Sequence, residues 1–173
     1  WKEHLYGPYK NSERIKAFSE FNNYISFFPD VIGYYNMKQL NTQFDFFITG
    51  SDQVWNPVLG RGTGLDFLTF ANEEKRIAYA ASISLDKIPE EFNYRFLRYL
   101  NSMKKISLRE QQGVDLIKKE FNVDSTCVID PTMLIDKHRW QVLADSAKVQ
   151  LPKKYVLCMF LGDKENEQTI REY

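Results

Sequence analysis

The sequence predicts an α/β protein built on a Rossmann-like, mainly parallel sheet. Two observations carry this. Short apolar runs alternate with stretches of helical periodicity, and the runs are closed by turn-forming or polar residues. Runs of this kind suit strands buried on both faces, and the right-handed crossover rule assembles successive βαβ units into a doubly wound layer.

The first element is an amphipathic helix at 11–28. Asn11 or Ser12 can cap it, Ile15, Phe18, Phe21, Ile25 and Phe28 form one apolar stripe, and Pro29 and Gly33 end it. Residues 44–49 form the first buried strand, closed by Gly50. Pro57, Gly60, Gly62 and Gly64 mark 56–64 as a loop, read as mobile. A second strand, 76–81, ends in small residues. A helix at 90–101 turns Phe92, Phe96, Leu97 and Leu100 inward. Then come a strand at 105–108, a helix at 109–121, a strand at 126–129 closed by Asp130-Pro131, and a helix at 137–149 that holds Trp140 and Leu143. Pro152 marks a boundary, after which 155–161 reads as a strand and 164–172 as a helix. The expected division is a first domain at 1–151, incomplete at its start, and the opening of a second α/β domain at 152–173. A chain that starts at Trp1 and stops just after a fresh strand reads as an excerpt of a longer protein.

Composition narrows the function classes. Lys plus Arg and Asp plus Glu both number 23, so the formal net charge is zero. Such a chain lacks the cationic excess that non-specific nucleic-acid binding or a peripheral membrane face requires. Apolar residues make up 43%, enough for a core, and 173 residues suit one domain or slightly more. No apolar run approaches the ~18 residues of a membrane span, and no secretory leader is visible. Cys127 and Cys158 sit in apolar runs and read as buried, unbridged thiols. His4 and His138 are isolated, with no metal-ligand spacing.

In an open parallel sheet, ligands bind beyond the carboxyl ends of the strands. The residues found there are Gly50-Ser51-Asp52-Gln53-Val54-Trp55-Asn56, then Ser82, then Arg109-Glu110, then Asp130-Pro131-Thr132. Gly50 permits a tight strand exit. Asp52 and Gln53 offer an acceptor and an amide suited to sugar hydroxyls, and Trp55 could stack on a sugar ring; the bland alternative makes Asp52 a cap and Trp55 core. Arg109 stands at a helix start, where the dipole disfavours a cation. It either holds a bound carboxylate or phosphate or pairs with Asp52 or Asp130. Glu110 agrees with the dipole, and Asp130 also serves as structural punctuation. The Gly60-to-Gly64 stretch lacks the lysine and spacing of a P-loop, and Arg61 is a weaker anion candidate.

An ordered set of motifs carries a resemblance. Phe46 to Asn56 reads Phe-Phe-Ile-Thr-Gly-Ser-Asp-Gln-Val-Trp-Asn; 77–82 reads Ile-Ala-Tyr-Ala-Ala-Ser; 106–110 reads Ile-Ser-Leu-Arg-Glu; 128–132 reads Val-Ile-Asp-Pro-Thr; Trp140 sits in the next helix. Together these resemble the polysaccharide pyruvyl transferase family. The resemblance covers 45–140 well. It implies the amino-terminal, acceptor-side half of a glycosyltransferase-B-type fold, whose two Rossmann-like domains face a cleft. It also implies cytoplasmic transfer of pyruvate from phosphoenolpyruvate to a pair of hydroxyls on a saccharide acceptor, free or lipid-linked, in exopolysaccharide or capsule assembly. No cofactor is expected, since ketal formation needs no metal in principle. The family's leading strand–helix unit and nearly all of its carboxyl-terminal domain are missing from the match. The donor-binding Arg and His are expected in that second domain, so the excerpt alone is expected to be inactive.

On this reading Asp52, Arg109 and Glu110 are the catalytic candidates. Asp52 is the base or hydroxyl anchor, and Arg109 reaches the anionic donor or organises Asp52 and Glu110. Ser51, Gln53, Trp55, Asn56, Ser82 and Asp130 are the substrate-binding candidates. Two rivals stay open: a nucleotide-sugar glycosyltransferase of the same architecture, and a non-catalytic glycan-binding domain.

Overall fold

The computed structural model describes residues 13–30, 33, 36–146 and 153–156. The chain divides into two compact units, Trp1–Asp130 and Pro131–Tyr173.

In the first unit, helix α1 spans Glu13–Asn22. Strand β1 is Phe47–Thr49, β2 is Arg76–Ala81, β3 is Lys105–Leu108 and β4 is Thr126–Cys127. Helix α2, Glu90–Asn101, joins β2 to β3, and α3, Gln111–Phe121, joins β3 to β4. The four strands form one sheet in the order β1-β2-β3-β4, every pair parallel. Phe47 stands opposite Arg76, Ile77 opposite Lys105, and Leu108 opposite Cys127. The α/β class and the parallel sheet are therefore as expected.

Strand order that advances in one direction, joined by right-handed crossovers, puts α2 and α3 on the same face. The core forms there. Phe96 and Leu100 of α2 and Leu116 and Ile117 of α3 close over Ala78, Ala81 and Leu108 of the sheet. Trp55 and Phe67, from the segment after β1, and Ile83 and Ile88, from the segment after β2, complete the cluster. Burying each of the Leu, Ile and Phe side chains stabilises by about 1.5–3 kcal/mol.

Three expectations need correction. Strands 44–49 and 126–129 shorten to three and two residues, and neither is buried on both faces: Ile48 is 65% exposed, and both residues of β4 are exposed. In the described sheet β1 and β4 are the edges, with one neighbour each, so no second strand covers them. For the same reason Cys127 is an exposed free thiol rather than a buried one. The first helix ends at Asn22, short of the expected 28, and its apolar stripe is not buried: Phe18 and Phe21 are nearly half exposed, as is Ile25 beyond the helix. Asn11, Ser12, His4, Pro152, Cys158, the helix at 164–172 and the strand at 155–161 beyond Val156 lie outside the described residues. The described Tyr155 and Val156 are exposed and not in a strand.

Strand β2 is irregular towards its carboxyl end. Register slips between Ala78 and Ala81, and Ala80 takes φ 51°, the left-handed region. A bulge of this kind breaks the ladder and re-aims the strand. Ser107 of β3 repairs the gap: its hydroxyl accepts from the Ala80 N–H at 3.2 Å and donates to the Ala78 carbonyl at 3.0 Å.

In the second unit a short 3₁₀ turn, Pro131–Leu134, precedes helix α4, Lys137–Ser146. Asp136 caps that helix, accepting from the Arg139 N–H at 3.0 Å. Trp140 Nε1 donates to the Thr132 carbonyl at 3.3 Å.

Candidate functional site

All four strands point their carboxyl ends to one edge, as parallel pairing requires. Backbone bonds extend the sheet past its formal strands there. Val128 N–H donates to Leu108 O at 2.9 Å, Arg109 N–H to Ala81 O at 3.0 Å, and Ser82 N–H to Asp52 O at 2.8 Å. The loop after β1 is thus pinned onto the extension of β2, which fixes where Asp52 stands.

Gly50 makes that loop possible. It takes φ +112°, and a Cβ there would collide with the Tyr79 carbonyl oxygen. Asp52 itself has φ 61°, a conformation short acidic side chains tolerate better than most.

Side chains from three strand ends meet around Arg109. Its Nε donates to Glu110 Oε1 at 2.8 Å, and its Nη1 lies 3.3 Å from Asp130 Oδ2 and 3.7 Å from Asp52 Oδ1. Ser51 Oγ donates to the same Asp130 Oδ2 at 2.8 Å. The Arg109 side chain is 28% exposed, Asp130 22% and Asp52 82%. The Glu110 hydrogen bond, with help from Asp130 and the nearby Asp52 charge, raises the Arg109 pKa above its ordinary value despite partial desolvation. The guanidinium fork suits this task, since it presents several donors in one plane.

The candidates do not all converge. Ser51, Asp52, Arg109, Glu110 and Asp130 do. Gln53 borders them: its Oε1 accepts from Asn56 Nδ2 at 2.9 Å, and its own amide N–H groups have no acceptor among the described residues. Asn56 is buried, and its Oδ1 accepts from the Val58 N–H at 3.0 Å, capping the turn Pro57–Leu59. It positions Gln53 and has no surface for a ligand. Ser82 is fully buried, its hydroxyl paired with Ser84 at 2.8 Å. Trp55 is also fully buried, stacked on Phe67 at 4.5 Å between ring centroids, with Nε1 donating to Asp66 O at 3.2 Å. A ring with no free face cannot serve as a sugar platform, so Trp55 is core.

Arg61 is engaged too. It pairs with Asp66 at 2.8 Å, and Asp66 also accepts from the Thr63 N–H and hydroxyl at 2.9 and 2.7 Å. The glycine-rich loop is therefore tied down from within. Ser107, which braces the β2 bulge, supports this edge without being among the sequence candidates. The available signal is a hydroxyl inside an otherwise apolar strand, which needs a backbone partner once partly buried. Among the described residues no group of His, Cys, Asp and Glu is arranged to hold a metal ion, and no helix is long and apolar enough to cross a membrane.

The family model for polysaccharide pyruvyl transferase matches residues 3–173. The chain belongs to that family. The search of curated proteins and the search of solved structures each return no match. Family membership makes this a transferase domain of polysaccharide modification that acts on a saccharide acceptor.

Proposed function

We propose that the chain forms the acceptor-binding part of an enzyme that moves pyruvate from phosphoenolpyruvate to two hydroxyls of one sugar, as a ketal. The chemistry balances without a redox partner. The enol methylene carbon gains a proton, and the carbon bearing the phosphate is attacked by one hydroxyl oxygen. The C–O bond to phosphate then breaks as the second hydroxyl adds, and inorganic phosphate departs with the remaining proton. Each hydroxyl must give up a proton as it attacks, so a carboxylate near the acceptor contributes directly.

The observation that carries this reading is the ring of three carboxylates around Arg109. Three acidic side chains surround one cation, which leaves Arg109 little attraction for an anionic donor. We assign it to holding Glu110, Asp130 and Asp52 in place. Asp52 is the most exposed of the three and becomes the base or hydroxyl anchor. The free amide of Gln53 supplies a donor for a sugar oxygen. Glu110 and Asp130, more enclosed and directly bound to Arg109, act through it, and Ser51 fixes Asp130. The donor's carboxylate and phosphate fall to cations of a second, facing domain in a glycosyltransferase-B-type arrangement. A cytoplasmic setting, where phosphoenolpyruvate is made, fits the reading.

The test is Asp52→Asn in the full-length protein, with phosphate release from phosphoenolpyruvate as the readout. Loss of a hydroxyl base lowers kcat by ~10²–10⁴-fold. A wild-type rate would demote Asp52 to a loop cap and move the base to Glu110. A nucleotide-sugar glycosyltransferase would instead show turnover with nucleotide sugars and none with phosphoenolpyruvate.

A further inference from the structure

At the opposite edge of the sheet lies a pocket of about 310 Å³ that the pyruvyl chemistry does not use. Thr69, Glu73, Arg76, Arg98, Tyr99 and Ser102 line it. Arg76 opens β2, whose six residues end at the cluster around Arg109. At ~3.3 Å per residue the two sites are roughly 17–20 Å apart.

Arg76 is 8% exposed, yet every acceptor it meets is neutral. Nε and Nη2 donate to Ala71 O, Nη2 also to Thr69 O at 3.2 Å, and Nη1 to Ser102 Oγ at 2.7 Å. One Nη1 hydrogen has no acceptor among the described residues. A buried cation with no carboxylate in direct contact is costly. Burial accordingly lowers the Arg76 pKa, and the more distant Glu73 and Glu74 act in the opposite sense. Arg98, the Tyr99 hydroxyl and the Thr69 hydroxyl likewise have no hydrogen-bond partner among the described residues, although all three line the pocket. Two guanidinium groups, two hydroxyls and a single carboxylate, that of Glu73, thus line one pocket.

We propose that this pocket binds the phosphoryl group of a phosphorylated monosaccharide. The unspent donors are those an oxyanion takes up, since guanidinium bonds to phosphate are charge-assisted and directional. The volume falls at the lower end of small-molecule sites, ~300–1,000 Å³, and leaves room for a sugar ring beyond the oxyanion. Free phosphate shares the oxyanion chemistry but leaves that room unused. The pocket owes nothing to the pyruvyl reading of the other edge.

Isothermal titration of the full-length protein at low salt, with glucose 1-phosphate and separately with inorganic phosphate, tests this. Glucose 1-phosphate is expected to bind saturably and more tightly than phosphate. Arg98→Gln removes a charged donor from the exposed last turn of α2, with only a small helix-dipole cost to folding, and weakens binding by ~10-fold or more. Tyr99→Phe weakens it less, and Arg98→Lys restores most of it. Absence of saturable binding by glucose 1-phosphate, phosphate binding as tightly as the sugar phosphate, or unchanged affinity in Arg98→Gln would each overturn the assignment.

Discussion

Ser51 donates its hydroxyl hydrogen bond to Asp130 Oδ2 at 2.8 Å, joining the exits of the first and last strands of the sheet. The same oxygen faces Arg109. One carboxylate oxygen therefore ties a loop, a helix start and a strand end together, and its hold on Ser51 can be measured.

Ser51→Ala removes one hydrogen bond to a charged, half-buried acceptor. The expected loss is about 1 kcal/mol, read as a lower urea midpoint with an unchanged slope. The same change frees the loop that carries Asp52, so kcat of the full-length enzyme falls more than KM changes. An unaltered midpoint would mean that the bond adds nothing beyond what water supplies.

Arg109→Lys tests the fork. A lysine cannot engage Glu110, Asp130 and Asp52 from one plane, so stability drops by ~1 kcal/mol. The pH dependence separates charge from shape. Arg109 has a raised pKa, so its contribution is complete below the unfolded value and is lost only as pH climbs through the higher folded value. Both lie far into alkali, and urea midpoints attributable to Arg109 stay flat from pH ~6 to ~10. A lysine there, paired and so held above its unfolded value of ~10.4, should lose its remaining advantage only as pH rises past ~10.

Cys127 gives a prediction independent of chemistry at the site. Its thiol is exposed at an edge strand, 3.6 Å from the Arg109 carbonyl oxygen. A disulfide reagent should modify it in the native protein without denaturant, and Cys127→Ser should abolish that fast phase. Labelling that waits for urea would restore the buried thiol that the apolar run suggests.

That contrast shows how far sequence alone reaches. β2, α2 and β3 are legible in their bounds, because an apolar run between turn signals and a stripe at helical spacing report local structure, although Leu97, read as inward, is 41% exposed. Cys127 and Trp55 are not, because exposure depends on neighbours: the apolar run at 126–129 does not reveal that β4 is an edge. Motif position puts Trp55 beside Asp52, but nothing in 50–56 says that its ring turns inward onto Phe67. The meeting of Asp52, Glu110 and Asp130 on Arg109 is legible, since parallel strands deliver their exits to one edge whatever the strand order.

Trp55 offers the sharpest separation between framework and site. Its ring is fully buried between Phe67 and the sheet core, and its indole N–H is satisfied by Asp66 O. Trp55→Ala removes the largest side chain of that cluster and leaves a cavity, costing about 3–5 kcal/mol. Trp55→Phe keeps an aromatic face against Phe67 but leaves the Asp66 carbonyl without its donor, costing about 1–3 kcal/mol. Both losses appear as lower urea midpoints. At a temperature where Trp55→Phe is fully folded, the acceptor KM of the full-length enzyme is expected to match wild type, because the ring touches no ligand surface. A sugar platform predicts the reverse: little change in midpoint and a clear rise in acceptor KM. Finding that reverse pattern would return Trp55 to the acceptor site and require the 50–56 loop to open when sugar binds.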